Sequence, residues 1–339
     1  MKWKILLLLG GIIFSLSSIS QETVDSNYIH VLTEKLHLRT FTSNKYTNVV
    51  VSTNGTNSIE YEPNSTTTFG VGATVRSFSL NIAYGFRFLN AEEGKGKTNH
   101  FDLQANLYKR KYVMDIFVQL YEGFYLNNTN ALNENYTLPF YLRPDLNARL
   151  YGVSYLHVFN SDKFSYAAPF VQNEIQEKSA GSFLLGGKMF YNSVAIDSSL
   201  VPSFTQESIY GVISNVQQFK AFQVGPTVGY AYSLVAKKHL FLIGSLDLSF
   251  MTGPVRFNSL DGKEDEQWQV NPVIGARLGL GYNSPGWFLG LTFLQEGTTL
   301  KGVDKLGEIN ISGGSVRLNY VKRFEMIKKF KTLLAKLPL

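Results

Sequence analysis

The feature that most constrains this chain is an apolar–polar alternation of period two, sustained over segments of roughly ten residues and repeated along most of its length. In the stretch from Phe78 to Phe88, Phe78, Leu80, Ile82, Tyr84, Phe86 and Phe88 fall on one side and Ser79, Asn81, Ala83, Gly85 and Arg87 on the other. Phe101, Leu103, Ala105 and Leu107 alternate with Asp102, Gln104 and Asn106, and Met114, Ile116 and Val118 surround Asp115 and precede Gln119. The stretches 222–234, 240–250, 270–282 and 287–293 behave likewise. Each segment reads as a strand with one apolar and one polar face.

Composition decides what the polar face meets. Only 17% of residues are charged, against roughly 25% in ordinary soluble domains, and the polar positions are mostly Ser, Thr, Gly, Asn and Gln. That suits a lumen better than bulk water, although a soluble β-barrel or sandwich is the competing reading. Beyond Gln21 no apolar run approaches the ~18 residues of a membrane helix, so a membrane location requires a closed barrel. The absence of cysteine excludes disulfides, thiolate metal sites and a cysteine nucleophile.

The two ends have different signatures. Residues 1–20 resemble a secretory signal peptide: Lys2 and Lys4, an apolar run from Ile5 to Phe14, and Ser18-Ile19-Ser20 before Gln21. A membrane anchor is the alternative, but the run is short for one. Export through a cleaved signal leaves a formal charge of +4 in place of +6, too small to suggest nucleic acid as a partner. Residues 21–34 are expected to form a periplasmic segment, with a short helix over 25–35. Residues 35–324 are expected to form the barrel. In residues 325–339, Met326, Ile327, Phe330, Leu333, Leu334 and Leu337 recur at helical spacing among lysines. This predicts a basic amphipathic helix, either interfacial or packed against the barrel mouth.

Connections nearly alternate between short (76–77, 109–111, 160–163, 236–238, 283–286) and long (91–99, 122–144, 198–217, 252–267, 296–308), as in outer-membrane barrels with short periplasmic turns. Aromatics flank the short turns, among them Tyr108, Tyr112, Phe159, Phe164, Tyr282 and Trp287. A first count gives thirteen strands. Termini at the same end demand an even number, which a turn at Tyr191-Asn192 supplies. The expectation is an all-β, transmembrane antiparallel β-barrel of about fourteen strands, with twelve as the alternative.

Charged residues at expected inward positions are Arg87, Asp102, Asp115, Arg149, Asp247, Arg277 and Arg317. Charges facing a lumen must be hydrated or paired, so they either line a water-filled pore or form a network that fills it. Gly225, Gly229, Gly275, Gly279 and Gly281 either leave space on one wall or let the strands bend, and the 122–144 loop is a candidate plug. Five isolated histidines, His30, His37, His100, His157 and His239, show no metal-ligand spacing. His100 beside Asp102 is the one suggestive pair for catalysis, and the acidic loop 261–266 reads as a solvated tip. No cofactor motif is present.

Several blocks carry a resemblance: Tyr61-Glu62-Pro63-Asn64, Gly96-Lys97-Thr98 through Asp102 with Asn106-Leu107-Tyr108, Gly123-Phe124-Tyr125, Leu142-Arg143-Pro144-Asp145-Leu146, the Lys178 to Gly187 block, and Asp197-Ser198-Ser199-Leu200. They resemble an uncharacterised Bacteroidetes outer-membrane β-barrel family known only as a domain of unknown function. The resemblance implies fold and location and transfers no activity. The expectation is a porin-like outer-membrane barrel of a Gram-negative cell, non-enzymatic, meeting outer-membrane lipid and, during insertion, the barrel-assembly machinery. It would pass small solutes; a closed or plugged barrel with a structural or surface-interaction role is the alternative, and a barrel-embedded enzyme the third reading.

Overall fold

The computed structural model describes residues 24–53, 58–64, 67–85, 94–127, 138–202, 205, 210–302 and 307–326. The expected signal peptide, Arg87 and nearly all of the C-terminal helix fall outside these residues. The strands are β1 (Ile29–Val31), β2 (Lys35–Thr53), β3 (Ser58–Glu62), β4 (Thr68–Val75), β5 (Phe78–Gly85), β6 (Asn99–Tyr108), β7 (Tyr112–Leu126), β8 (Tyr141–Val158), β9 (Glu174–Gln176), β10 (Ala180–Ala195), β11 (Val216–Ala236), β12 (Leu240–Ser259), β13 (Glu264–Asn283), β14 (Trp287–Lys301) and β15 (Gly307–Glu325). One short helix, α1 (Ala167–Phe170), lies between β8 and β9.

Twelve strands close an antiparallel ring in the order β2-β4-β5-β6-β7-β8-β10-β11-β12-β13-β14-β15, and β15 pairs back onto β2 from Gly307↔Thr53 to Glu325↔Lys35. The count is therefore twelve. No turn interrupts Tyr191-Asn192, where β10 runs on with Tyr191 paired to Tyr151 and Phe222. The odd strand is β3, which lies outside the ring. It pairs with β2 over Val49–Ser52 and with β7 at Tyr125 and Leu126, cutting across the rim above β4, β5 and β6. The bulge of β7 at Glu122/Phe124 sits at this junction. Gly123 occupies it with φ +87°, and a Cβ there would stand 2.3 Å from the Lys97 carbonyl oxygen.

Alternation becomes sidedness. Leu246, Leu278, Val228, Ile82 and Phe183 stand exposed on the outer face, while Thr227, Ser249, Asn319 and Thr292 are buried within. The long strands outrun the membrane: β12 and β13 remain paired to Asn258↔Glu264, so their outer halves, expected as loop, are an extended hairpin. Only ~9–11 residues of each strand are needed to span hydrocarbon.

Two corrections concern the end that holds both termini. Residues 29–31, expected as helix, form β1 and pair with β9. The 160–163 turn opens a longer connection, 159–179, that folds into the barrel mouth. Phe164, Tyr166 and Ala167 pack there with Tyr108, Leu156, Leu184, Ala231 and Ile243. Tyr108 and Phe164 are consequently interior residues and not part of an aromatic girdle.

Candidate functional site

Among the described residues, the lumen gathers the largest set of buried charged side chains. Near its centre Asp115 of β7 meets Arg277 of β13 at 2.8 Å. The Asp115 carboxylate also accepts from Tyr108 OH (2.8 Å) and Asn106 Nδ2 (2.6 Å), and Arg277 donates to the Tyr108 hydroxyl at 2.9 Å. A second group centres on Lys188 of β10, which bridges Asp247 of β12 and Glu296 of β14. A third joins Lys45 of β2 to Asp102 of β6 at 3.3 Å, with Tyr121 OH donating to the same carboxylate at 3.0 Å. These contacts cross the barrel or link neighbouring strands, because cross-strand partners share a face and inward side chains converge.

Of the expected lumen residues, Asp102, Asp115, Asp247, Arg277 and Arg317 face inward, and the first four take part in these ion pairs. Arg149 does not. It lies on the exposed outer face, in register with Leu120 and Ser193, so the parity assumed for β8 was one residue out. Missed from the sequence were Lys45, Lys188, Glu296, Arg39 and Arg323, all inward.

A cavity of about 150 Å³ lies among these groups, lined by Lys45, Gln104, Asp115, Asp247, Arg277 and Glu296 together with apolar Phe117 and Phe190. It has room and polar partners for several waters. Of the inward glycines, Gly275 borders the cavity, and most of the space they leave is taken by neighbouring atoms. A Cβ on Gly275 would stand 2.6 Å from an Asp247 carboxylate oxygen, and one on Gly225 would stand 2.0 Å from the Phe250 carbonyl oxygen. These glycines make room for a side chain and for a neighbouring strand.

Both ends of the cavity are covered. At the terminal end Arg39 donates to Val171 O (3.2 Å) and to the Gln172 side chain, Arg323 donates to Gln172 O (2.7 Å), and Asn283 Nδ2 donates to Glu174 O (3.0 Å). Arg110 pairs with Glu174 at 2.7 Å. At the other end a cluster of buried apolar side chains fills the barrel. It includes Val49, Tyr61, Leu126, Leu150, Phe219, Phe257 and Ile309, with Leu200, Val201 and Ile213 entering from the 196–215 connection. A plug at the terminal end is thus built from 159–179; residues 128–137, the middle of the 122–144 loop expected as a plug, lie outside the described residues.

The weaker expectations also have placements. Asp261 pairs with Lys263 (2.8 Å), and Arg256 with Glu264 (2.9 Å) and Glu266 (2.6 Å). Lys263 holds the Asp261 carboxyl below its ordinary value. Among the described residues no group of three or more His, Asp or Glu side chains is placed to hold a metal. His100 stacks on Tyr121 at 5.8 Å, and Asp102 is taken up by Lys45 and Tyr121.

Residues 23–324 match the family model described as Domain of unknown function (DUF4421). The chain belongs to this family. No curated protein matches. Among solved structures, similarity is found to the outer membrane protease OmpT from Escherichia coli, at 8% identity and a TM-score of 0.41, covering 90% of this chain and 100% of that one. It is also found to the Pseudomonas putida toluene transporter TodX, at 8% and 0.29, covering 86% and 91%. A Pseudomonas aeruginosa FadL homologue matches at 10% and 0.28, covering 85% and 90%. At these levels the likeness transfers neither an activity nor a site to this family member.

Proposed function

We propose that this chain is an outer-membrane β-barrel closed to axial passage, with a structural or surface-interaction role. The observation that carries this reading is that the lumen is filled from both ends, by the 159–179 plug at the periplasmic mouth and by the apolar cluster at the outer one. A continuous apolar seal passes neither ions nor small polar solutes, since a polar group crossing it would lose its hydrogen bonds. The inward charges support the same reading: Asp115, Asp247, Glu296 and Asp102 each contact a cation within the wall. Charges paired in this way stiffen a lumen instead of selecting ions in a stream.

The apolar outer face and the polar, long-stranded end opposite the termini support an outer-membrane setting, with the extended hairpins displayed outside. The test is single-channel recording on refolded Gln21–Leu339 in a planar bilayer. The expected result is silence from inserted, heat-modifiable barrel. Stepwise openings whose ion preference changes in Arg277→Gln or Asp247→Asn would establish the pore reading instead.

A further inference from the structure

The wall of the barrel is not uniformly zipped. β4 and β5 share eight pairs, from Thr68↔Gly85 to Val75↔Phe78, and β6 and β7 share ten. Between β5 and β6 the register covers only Phe78↔Leu107, Ser79↔Asn106 and Leu80↔Ala105. Its next step would place Asn81 opposite Gln104. Both residues are in strand, yet they do not pair. Instead Arg39 donates to Asn81 Oδ1 at 2.6 Å, and Arg317 donates to Gln104 Oε1 at 3.2 Å. Two guanidinium groups thus hold the two lips of a seam. Ala83, an inward position, is exposed, whereas inward Ser79 and Thr74 on the zipped part of the same wall are fully buried.

The seam is bounded. Below it lie the three β5–β6 pairs, and above it Asn64 N donates to Thr98 Oγ1 (2.8 Å) and Asn64 Nδ2 to Gly96 O (2.8 Å), tying the segment after β3 to the start of β6. At about 3.3 Å per residue, Asn81–Ala83 stand roughly 10–17 Å along the strand from the periplasmic turn, within the hydrocarbon layer. Unpaired sheet edges are not tolerated against lipid there unless they line a hydrated cavity or are occupied. Gln104 belongs to both places: it forms the β6 lip and lines the central cavity. Outside the seam, Val71, Ile82, Phe101 and Leu103 present apolar side chains.

The charge behind the seam is net positive: Arg39, Arg317 and Lys45 stand against one carboxylate, Asp102, which the continued register places opposite Ala83 on the β6 lip. Arg317 contacts Gln104 and the face of Phe41 at 4.5 Å, and its Nε has no partner. Arg39 contacts only neutral acceptors. Among the described residues neither guanidinium makes a direct ion pair with a carboxylate; Asp102 attracts Arg317 from a distance while its direct contacts go to Lys45 and Tyr121. Two cations at a membrane-level opening, with an apolar approach, form the complement of an acidic group on a hydrocarbon chain.

We propose that the β5–β6 seam is a lateral binding site for an anionic single-chain amphiphile from the surrounding membrane, its acidic head drawn between Arg39 and Arg317 and its chain lying along Val71, Ile82 and Leu103. The proposal goes beyond the closed-barrel reading and does not rest on it: conductance tests axial passage, and this site is tested by binding. The experiment reconstitutes the full mature chain in neutral phosphatidylcholine nanodiscs and titrates a fluorescent long-chain carboxylate, with the alcohol of the same chain as comparison. Wild type binds the carboxylate saturably and the alcohol at least about tenfold more weakly, as expected when a charge-assisted contact supplies the affinity. Arg317→Gln, which removes the charge, and Ala83→Trp, which fills the seam while leaving both arginines, each weaken carboxylate binding by a similar factor. Arg256→Gln, in the outer hairpin, leaves it unchanged. Heat-dependent gel mobility establishes that each variant is folded. No saturable binding by wild type, equal affinity for the alcohol, or wild-type affinity in either folded seam variant would overturn the proposal.

Discussion

Lys188 stands at a buried position of β10 between two carboxylates, Asp247 and Glu296. Replacing it with methionine leaves the volume nearly intact and strands both acids in a medium that solvates them poorly. Lys188→Met is expected to lower unfolding stability by about 3–5 kcal/mol, the usual result of removing one partner from a buried ion pair. Adding Asp247→Asn should recover part of that loss, because one stranded charge is then gone. Urea midpoints of refolded barrel measure both; a Lys188→Met barrel as stable as wild type would show that the pairing contributes nothing. Gly275 belongs to the same group. Gly275→Ala drives a methyl toward the Asp247 carboxylate and is expected to cost about 1–3 kcal/mol by overpacking. Of this centre, Asp247 and Gly275 were legible in the sequence as inward positions, and Lys188 and Glu296 were not. Lys188 follows Gly186-Gly187, which break the alternation, and Glu296 lies where β14 is polar on both faces. In β2 each inward cation is followed by a polar outward neighbour (Arg39-Thr40) or an amphipathic one (Lys45-Tyr46), so the period-two signal that exposed Asp115 and Arg277 is missing there.

The plug is the element whose existence the sequence hid best. Its strand-to-strand connection, 159–179, is about as long as an outer loop yet sits at the end of short turns, and Phe164 to Val171 is an apolar run without alternation. Those two facts together were the available signal. Its tightest point is Gln172, buried with φ +59°, a left-handed conformation that costs a non-glycine residue about 1 kcal/mol or more. The cost is offset by hydrogen bonds: Nε2 donates to Pro169 O at 2.6 Å, the side-chain oxygen accepts from Arg39, and the main-chain oxygen accepts from Arg323. Gln172→Ala keeps the strain and loses the side-chain partners, so it is expected to loosen the plug by about 1–3 kcal/mol. Amide exchange should quicken over 164–176 and stay slow in β11 to β13. The outer seal responds to acid instead. Arg143 of β8 holds Asp145 at 3.1 Å and reaches the Ser199 carbonyl at 3.0 Å, beyond the ~11 strand residues that hydrocarbon covers. Burial alone would raise the Asp145 carboxyl, but Arg143 and the Asp197 N–H hold it below its ordinary 3.8. A depressed carboxyl contributes stability above its unfolded value and loses it as pH falls through the folded one. Exchange over 197–201 should therefore rise below about pH 3.8 in wild type, and Asp145→Asn should already be fast at neutral pH with little further change.

At the scale of the molecule, the alternation predicted a closed antiparallel barrel with the correct faces for β5 to β7 and β11 to β15, though not for β8, because sidedness in a closed sheet is written directly as period two. The strand number was less legible, since β3 has strand-like residues but serves as a tie across the rim, and nothing local distinguishes a tie from a wall strand. The outer face remains to be explained by its surroundings. Leu246 is 64% exposed and Trp268 71%, amid a continuous apolar belt that includes Val228, Leu278 and Ile274, far larger than soluble monomers leave in water. If lipid covers that belt, the cost of a charge there must depend on depth. Leu246 lies about 20 Å along β12 from the turn that precedes it, or about 15 Å in height at a usual tilt near 40°, close to the midplane of such a bilayer. Leu246→Arg is therefore expected to destabilise the barrel in lipid by about 2–4 kcal/mol, and Trp268→Arg, farther out along β13, by about 1 kcal/mol or less. Reversible urea unfolding in vesicles gives both numbers on one scale. A Leu246→Arg variant with wild-type stability, or equal costs at the two positions, would mean that the belt faces something other than a bilayer, and the barrel would then need a protein partner around its waist.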